Sequence, residues 1–378
     1  MTKIFISAGE ASGDLHAAAI TKEILALDPS AQVFGMGGDA LRAAGGEVVF
    51  DFKQYSIMGI VEIIKALPMF FALRDSFRKL MVERQPDCFV TVDYPEFNMR
   101  AAKVAKELHI PIVSYIPPSA WAWRPGRATM VAKLVTKVAC IYPFAYDVYK
   151  AAGANVDFVG NPLVDIVHPS LPVAEAKAKV GKVEGRPLVL LLPGSRVKEI
   201  TNVLPIMLEA LPLIKAKLPN ADFVLQKAPT IDTELLESIL KTSFLPVRWV
   251  EGDNYDVMSA CDAAIATSGT VTLEAALCGL PSVICYKANG LSVAIAKKMV
   301  RVKYIGLPNL IAGKEILPEL IQEKLTPRNI AEGVLNFLSA DKHETIKQEL
   351  KNVVDRLGAP GATKRVAELI LKVAGENK

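Results

Sequence analysis

Residues 3–20 read KIFISAGEASGDLHAAAI: a short apolar run, a loop with two glycines, and the start of a helix pattern. Short apolar runs of this kind are typical of buried strands, and the same strand–helix alternation recurs along the chain. The alternation predicts an α/β fold with a doubly wound parallel sheet. In the first half, strands are predicted at Lys3–Ser7, Gln32–Met36, Cys88–Val92, Ile112–Tyr115, Val138–Ile141 and Val156–Val159.

The pattern restarts after Gly160-Asn161-Pro162, which predicts two Rossmann-like halves joined near residues 161–170. From about Asn329 to Lys378 the pattern is helical throughout and is able to cap either half. Ligands of such sheets bind beyond the carboxyl ends of the strands, so the expected site is a cleft that the two domains face. Strands of the second half are predicted at Leu188–Leu192, Asp222–Gln226, Val247–Val250, Ala263–Ala266 and Ser282–Tyr286.

Composition excludes several classes of protein. The 378 residues include 44 Lys+Arg against 40 Asp+Glu and are 51% hydrophobic, which excludes disorder and gives no case for a nucleic-acid partner. The five cysteines form no CxxC pair and the four histidines lack metal-ligand spacing, so we expect neither disulfides nor a metal site. No GxGxxG motif follows a predicted strand, which argues against nicotinamide and flavin cofactors. Without a secretory signal or an 18-residue apolar run, we expect a cytoplasmic protein.

The most apolar segment is SIMGIVEIIKALPMFFAL at 56–73, which helps to explain a mean hydropathy of +0.28. Projected as a helix, it gathers apolar residues on one face, and Pro68 is expected to kink or end it. A pair of core helices is one interpretation. A patch that enters a lipid bilayer is the other. The patch residues are Ile57, Ile60, Val61, Ile63, Ile64, Leu67, Phe70 and Phe71.

Carboxylates follow two predicted strands of the first half. Glu10, Ser12 and Asp14 stand in the loop after the first strand; helix capping by Ser12 or Asp14 explains part of this loop but does not require Glu10. Asp93 follows Cys88–Val92 and opens DYPEFN, a position where an α/β enzyme can place a general base. Capping by Asp93 or Asn98 is the structural alternative, and these residues alone do not decide between them.

Three further loops are suited to sugars and phosphates. Trp123 and Arg124 follow another strand and suit sugar faces and phosphate. Gly194, Ser195 and Arg196 form a turn that offers backbone N–H groups and a guanidinium to phosphate. At a predicted helix N-terminus, the residues Ser268, Gly269 and Thr270 fit a diphosphate, and Glu274 one turn later is able to accept hydrogen bonds from ribose hydroxyls.

Together these loops resemble the lipid-A-disaccharide synthase family of GT-B glycosyltransferases, found in Gram-negative bacteria. The motifs occur in the family order and span nearly the whole chain. They are AGEASGD at 8–14, MGIVE at 58–62, DYPEFN at 93–98, PSAWAWR at 118–124, LPGSR at 192–196, SGTVTLE at 268–274 and LPNLIAG at 307–313.

The resemblance implies an acceptor-binding and membrane-associating domain at 1–165 and a UDP-sugar-binding domain at 166–354, with a C-terminal helix at about 355–378 that packs back on the first. It implies an inverting transfer from UDP-2,3-diacylglucosamine to 2,3-diacylglucosamine 1-phosphate (lipid X), with release of UDP. Asp93 would be the base, and Ser12, Asn98, Trp123 and Arg124 would surround the acceptor. Matching functional positions are Glu10, Ser12, Asp93, Arg196, Glu274 and Asn309, the last from the resemblance alone.

The same resemblance implies that no metal or other cofactor is needed and that the partners are the two acylated sugars and the cytoplasmic surface of the inner membrane. Acylated substrates favour lipid contact for residues 57–71, and a monomer or homodimer is expected. The alternatives are another nucleotide-sugar enzyme of this fold, such as a UDP-N-acetylglucosamine 2-epimerase or a peptidoglycan N-acetylglucosaminyltransferase, and a non-catalytic nucleotide-sugar sensor.

Overall fold

A computed structural model describes residues 1–55, 67–122, 126–252, 254–288 and 302–376. The chain forms two compact units: Met1–Pro162 together with Gly358–Lys378, and Leu163–Leu357. The predicted bounds, 1–165 and 166–354, lie close to this division. The functions assigned to the two domains remain predictions.

The first unit is built on a parallel sheet of seven strands. They are β1 (Lys3–Ala8), β2 (Gln32–Gly37), β3 (Glu47–Asp51), β4 (Cys88–Val92), β5 (Ile112–Tyr115), β6 (Lys137–Cys140) and β7 (Val156–Phe158). Their order is β3-β2-β1-β4-β5-β6-β7, so the chain runs outward from β1 on one side and then returns to continue from β4 on the other. The switch point between β1 and β4 is where sheets of this kind bind ligands.

The helices that follow these strands cover both faces of the sheet. In the described residues they are α1 (Ala11–Leu27), α2 (Asp39–Ala43), α3 (Leu67–Arg84), α4 (Pro95–Glu107), α5 (Gly126–Leu134) and α6 (Pro143–Ala151). Pro68 lies in α3, and the helix continues beyond it to Arg84.

The second unit repeats this design with a sheet of six strands. They are β8 (Leu188–Leu192), β9 (Asp222–Lys227), β10 (Arg248–Glu251), β11 (Ala263–Thr267), β12 (Ser282–Tyr286) and β13 (Glu319–Ile321). The order β10-β9-β8-β11-β12-β13 puts its switch point between β8 and β11. Its described helices are α7 (Leu163–Ile166), α8 (Val173–Lys179), α9 (Val197–Lys217), α10 (Thr233–Leu240), α11 (Asn254–Ala260), α12 (Thr270–Leu277), α13 (Leu307–Ala312), α14 (Pro327–Phe337) and α15 (Ala340–Asp355).

The two parallel sheets confirm the predicted fold class, with two strands added. The central strands β4, β8 and β11 are buried along their whole length, as expected where helices cover both faces. The strands β3 and β13 lie at sheet edges, are short, and carry charged residues at their ends or starts. Their apolar runs are too short to stand out in the sequence.

The last helix, α16 (Ala362–Gly375), belongs to the first unit. Its apolar face packs with α1 in one core, where Val366 and Ile370 are fully buried near Ile20 and Ile24. Arg365 fixes the start of the helix by donating to the carbonyl of Val159 at 2.8 Å.

The described helices and the cysteines bear on two of the sequence predictions. Among the described residues, none of the helices combines the length and apolar character needed to cross a bilayer. All five cysteines are free, and Cys88, Cys140 and Cys285 are buried.

Replacing Ile370 with alanine tests whether α16 is part of the core. The change leaves a cavity against α1, so we expect the free energy of unfolding of the first unit to fall by about 2–5 kcal/mol in a urea titration. Lys372→Ala, an exposed position of the same helix, should change it by less than about 0.5 kcal/mol. Equally small effects for both variants would contradict the packing described here.

Candidate active site

The first group of predicted residues lies at the switch point of the first unit. Because Ala8 of β1 pairs with Val92 of β4, the loops that carry Glu10 and Asp93 leave the sheet side by side. Glu10 is exposed at the N-terminus of α1, and Ser12 is exposed in its first turn. Asp93 is partly buried, and its N–H donates to the carbonyl of Tyr115 at 3.2 Å.

Asn98 ties these strand ends together. Its side chain is fully buried; Oδ1 accepts from the Ser7 hydroxyl at 2.7 Å, and Nδ2 donates to the Asp93 carbonyl at 2.7 Å and the Ser7 carbonyl at 3.1 Å. A longer contact of 3.4 Å reaches the Val92 carbonyl. Asn98 therefore does not cap a helix; it fixes the backbone on which the Asp93 carboxylate is carried.

The turn that follows β4 has an unusual backbone. Asp93 and Tyr94 are consecutive left-handed residues, with φ of 46° and 49°. Such conformations cost free energy and persist where the surroundings enforce them, which is frequent at functional sites. One such constraint is Gly9, where an added Cβ would come within 2.1 Å of the Tyr94 ring. Gly9 thus lets the two loops pack directly against each other.

Burial raises the pKa of Asp93 above its usual range, and the nearby charge of Glu10 raises it further. A hydrogen bond from the Tyr94 N–H acts in the opposite direction but is the smallest of these effects. The pKa of the Tyr94 hydroxyl is raised for the same two reasons, burial first and Glu10 second. A desolvated carboxylate with a raised pKa accepts a proton more readily than an exposed one.

Asp14 has a structural role that the sequence analysis missed. It is buried and accepts from the N–H groups of Gly38 at 2.6 Å, Ala40 at 3.0 Å and Leu41 at 3.2 Å. It therefore caps the first turn of α2, 24 to 27 residues away in sequence. Capping within its own loop, the alternative considered above, is not what this side chain does.

The second group lines a cavity of about 370 Å³ at the switch point of the second unit. Its walls come from the carboxyl ends of β8, β9 and β11, from α11, and from the first turns of α9 and α12. Every predicted UDP-sugar residue except Asn309 is part of the lining: Gly194, Ser195, Arg196, Ser268, Gly269, Thr270 and Glu274. Gln226, Lys227, Asn254 and Met258 also line it and were not predicted.

The Gly-Ser-Arg turn is folded around Glu199. This carboxylate accepts from the N–H groups of Ser195 at 3.1 Å and Arg196 at 3.3 Å, and from the Arg196 guanidinium at 2.7 Å. Gly194 has φ of +108°, and a Cβ there would come within 2.5 Å of Glu199 Oε2. The two amides expected to face phosphate are therefore engaged by Glu199, whereas the Arg196 side chain is 78% exposed and has further N–H groups to offer.

The start of α12 provides the other donors. Gly269 is its N-cap residue and no side-chain hydrogen bond caps this end, so Thr270 does not fill the capping role that the sequence allowed. The N–H groups of the first turn, with the helix dipole, suit an anion. One turn further on, burial raises the pKa of Glu274, and burial together with Glu274 raises the pKa of Tyr255 to about 12.

Asn309 does not fit the expectation of direct contact with a ligand. It is fully buried; Nδ2 donates to the Leu317 carbonyl at 2.7 Å and to Glu319 at 2.8 Å, while Oδ1 accepts from the N–H groups of Ile316 at 2.9 Å and Leu317 at 3.0 Å. Its hydrogen-bonding capacity is used within the chain. Asn309 holds the turn between α13 and β13.

Several predicted residues lie outside the described part of the chain. They are Ile57, Ile60, Val61, Ile63, Ile64, Trp123 and Arg124, together with the side chain of Leu67. Within the described part, no cluster of three or more His, Cys, Asp or Glu side chains is placed to hold a metal ion.

Comparison with known proteins shows a consistent likeness. A family model described as lipid-A-disaccharide synthetase matches residues 4–373. The lipid-A-disaccharide synthase of Geobacter metallireducens is 39% identical over 377 residues, covering 100% of this chain and 98% of that protein. The enzyme of the same name from Nitrosococcus oceani is 40% identical over 376 residues, covering 99% and 97%.

Solved structures extend the likeness at the level of the fold. UDP-GlcNAc 2-epimerase from Neisseria meningitidis, bound to UDP-GlcNAc, has a TM-score of 0.64 at 14% identity and covers 98% of this chain and 100% of its own. MurG from Acinetobacter baumannii has a TM-score of 0.62 at 14% identity, covering 98% and 99%.

Replacing Asp93 with asparagine is expected to raise the melting temperature at pH 7. Because the pKa of Asp93 is raised in the folded protein, the folded state holds this proton more tightly than the unfolded state. Stability therefore falls as the pH rises from about 4, the ordinary carboxyl pKa, through the raised value. Asparagine removes the charge and tolerates the left-handed backbone.

The measurement is thermal unfolding from pH 4 to pH 8. The difference in melting temperature between Asp93→Asn and the wild type should become smaller as the pH falls toward 4. Asp157→Asn, in the edge strand β7, is the control: it removes a half-exposed carboxylate that pairs with Lys137 and should not raise the melting temperature at pH 7. A melting temperature of Asp93→Asn below that of the wild type at pH 7 would contradict the desolvation of Asp93.

Proposed function

This chain belongs to the lipid-A-disaccharide synthetase family and is a glycosyltransferase of lipid A biosynthesis, and on that premise we propose how its two switch-point sites divide the reaction. The cavity of the second unit takes UDP-2,3-diacylglucosamine, and the loops at the switch point of the first unit take 2,3-diacylglucosamine 1-phosphate. The observation that carries the proposal is the desolvated carboxylate of Asp93, which lies near the charge of Glu10 and whose backbone carbonyl is held by Asn98.

The reaction is a single displacement at the anomeric carbon. The 6-hydroxyl oxygen of the acceptor forms the new bond, while the bond from that carbon to the UDP oxygen breaks and its electron pair leaves with UDP. Asp93 takes the hydroxyl proton as the new bond forms. Attack from the face opposite UDP turns an α-linked donor into a β-linked disaccharide 1-phosphate.

Glu10 contributes through its charge. Its carboxylate raises the pKa of Asp93, which makes the proton-bound form of Asp93 more favourable at the moment of transfer. Glu10 and Ser12 are both exposed at the start of α1, where they are accessible to the sugar hydroxyls of an acceptor.

The second unit stabilises the leaving group. The exposed Arg196 guanidinium and the first-turn N–H groups of α12 offset the negative charge that grows on the diphosphate, without a metal ion. Glu274 accepts hydrogen bonds from the ribose hydroxyls. The N–H groups of α12 are fixed by the helix backbone before the reaction, so they need little reorganisation in the transition state.

We also propose peripheral association with the cytoplasmic face of the inner membrane, by a monomer or homodimer. Phe71 supports this: the residue is 48% exposed, and the Arg74 guanidinium lies 5.4 Å from the centroid of its ring, a pairing suited to a lipid interface with anionic headgroups. Phe70 differs from the expectation for the patch, since it is partly buried and packs against Phe97, with 6.2 Å between ring centroids. We therefore assign Phe70 to the core.

Asp93→Asn should lower the rate of disaccharide formation by about 10²–10⁴-fold, because the acceptor proton loses its base. The Kd for UDP should stay within about twofold of the wild type, since the donor site lies in the other unit. Asp157→Asn serves as the control, and EDTA should leave the wild-type rate unchanged. An equal loss of transfer and UDP binding would refute the role of Asp93, and loss of activity in EDTA would refute the metal-free reaction.

Phe71→Glu should weaken binding to vesicles of anionic phospholipid by about tenfold or more in a sedimentation assay, because an aromatic side chain no longer enters the interface. Its melting temperature should match that of the wild type. Phe70→Glu is the contrasting variant and should lower the melting temperature, since it introduces a charge against the core. Unchanged vesicle binding by Phe71→Glu would count against membrane contact at this position.

A further inference from the structure

Gln226, near the end of β9, has a buried oxygen without a hydrogen-bond partner. The residue is only 7% exposed, and its Nε2 donates to the Gly252 carbonyl at 3.1 Å. Among the residues that the structure describes, no group donates to its Oε1. A buried acceptor without a partner destabilises the protein, and a ligand that supplies a donor removes that cost.

The orientation of this amide is set by its surroundings. The Gly252 carbonyl can only accept, so the Gln226 nitrogen must face it and the oxygen must face elsewhere. Gln226 lines the same cavity as Arg196 and the start of α12. Gln226 is therefore a residue of the cavity wall whose amide oxygen lacks a hydrogen-bond partner among the described residues.

The position of Gln226 separates it from the phosphate end of the cavity. Strand β8 lies between β9 and β11, so Gln226 and the α12 N-terminus are about two strand spacings apart, roughly 10 Å. A nucleotide spans a comparable distance from its diphosphate to its base. With the diphosphate at α12 and the ribose at Glu274, the base extends toward the ends of β9 and β10.

The chemistry of the nucleotide limits which of its groups can form a hydrogen bond with Gln226 Oε1. Phosphate oxygens are acceptors and cannot satisfy another acceptor, whereas uracil carries a single ring N–H, at N3. We propose that Gln226 is a specificity-determining residue of the donor site, whose Oε1 accepts a hydrogen bond from N3–H of uracil. The inference rests on the proposed function, since it takes the cavity to be the site of the UDP moiety.

This contact selects among pyrimidine bases. In cytosine N3 carries no proton, so two acceptors would face each other and one would remain buried and unpartnered. A methyl group on N3 of uracil removes the same proton and adds bulk. Both changes should weaken binding in a way that depends on the Gln226 oxygen.

Calorimetric titration of the full-length protein with UDP, CDP and N3-methyl-UDP tests the proposal. The wild type should bind UDP roughly 5- to 100-fold more tightly than either analogue. Gln226→Met keeps the length of the side chain but has no comparable acceptor, and should reduce that preference to within about threefold, chiefly by weakening UDP. Ser282→Ala removes another buried, unpartnered oxygen of the same sheet, outside the cavity lining, and should bind all three as the wild type does.

Melting temperatures measured alongside show whether Gln226→Met is folded, and inorganic pyrophosphate should bind to it as it does to the wild type. A folded Gln226→Met variant with the full wild-type preference for UDP would overturn the inference while leaving the proposed function intact. So would a wild type that binds UDP and N3-methyl-UDP equally. A wild type that binds none of the three nucleotides would overturn the proposed function, and this inference with it.

Discussion

The buried amide of Asn98 is the interaction on which the proposed reaction depends. It connects the Ser7 side chain and backbone, at the end of one strand, to the Asp93 backbone, at the end of the next. Asp93 and Tyr94 adopt left-handed conformations beside this amide, and Gly9 gives the Tyr94 ring room. Because the backbone is held in this way, a carboxylate can be kept partly out of water beside another carboxylate, an arrangement that disfavours folding but favours proton uptake.

Both units place functional groups at the switch point of a parallel sheet, but the groups suit different chemistry. At each switch point, the loops that follow two neighbouring strands lie at the carboxyl edge of the sheet, where sheets of this kind bind ligands. In the first unit the loops at this edge carry the carboxylates Glu10 and Asp93, which suits removal of a proton. In the second the cavity at this edge is lined by Arg196 and the N-terminus of α12, which suits a diphosphate. The same fold therefore supports a base at one site and anion stabilisation at the other.

The sequence predicted the central strands and the residues that directly follow them, because buried apolar runs and the loops beyond them are local signals. Edge strands β3 and β13 were missed, since their apolar runs are short. Roles that depend on distant partners were also beyond sequence reasoning: Asn98 bonds to Ser7, and Asn309 is used within its own turn. In the sequence, nothing distinguishes Gln226 from other strand residues. It is set apart by its unpartnered side-chain oxygen, which only the structure shows.

The central claim is that Asp93 is a desolvated carboxylate prepared to take a proton. Carbon-13 NMR titration of the aspartate carboxyl groups, with the Asp93 signal assigned by its absence in Asp93→Asn, measures this property directly. The account predicts a pKa for Asp93 clearly above about 4, the ordinary value for an aspartate. A value at or below about 4 would contradict it, because the carboxylate would then be solvated or stabilised as an ion.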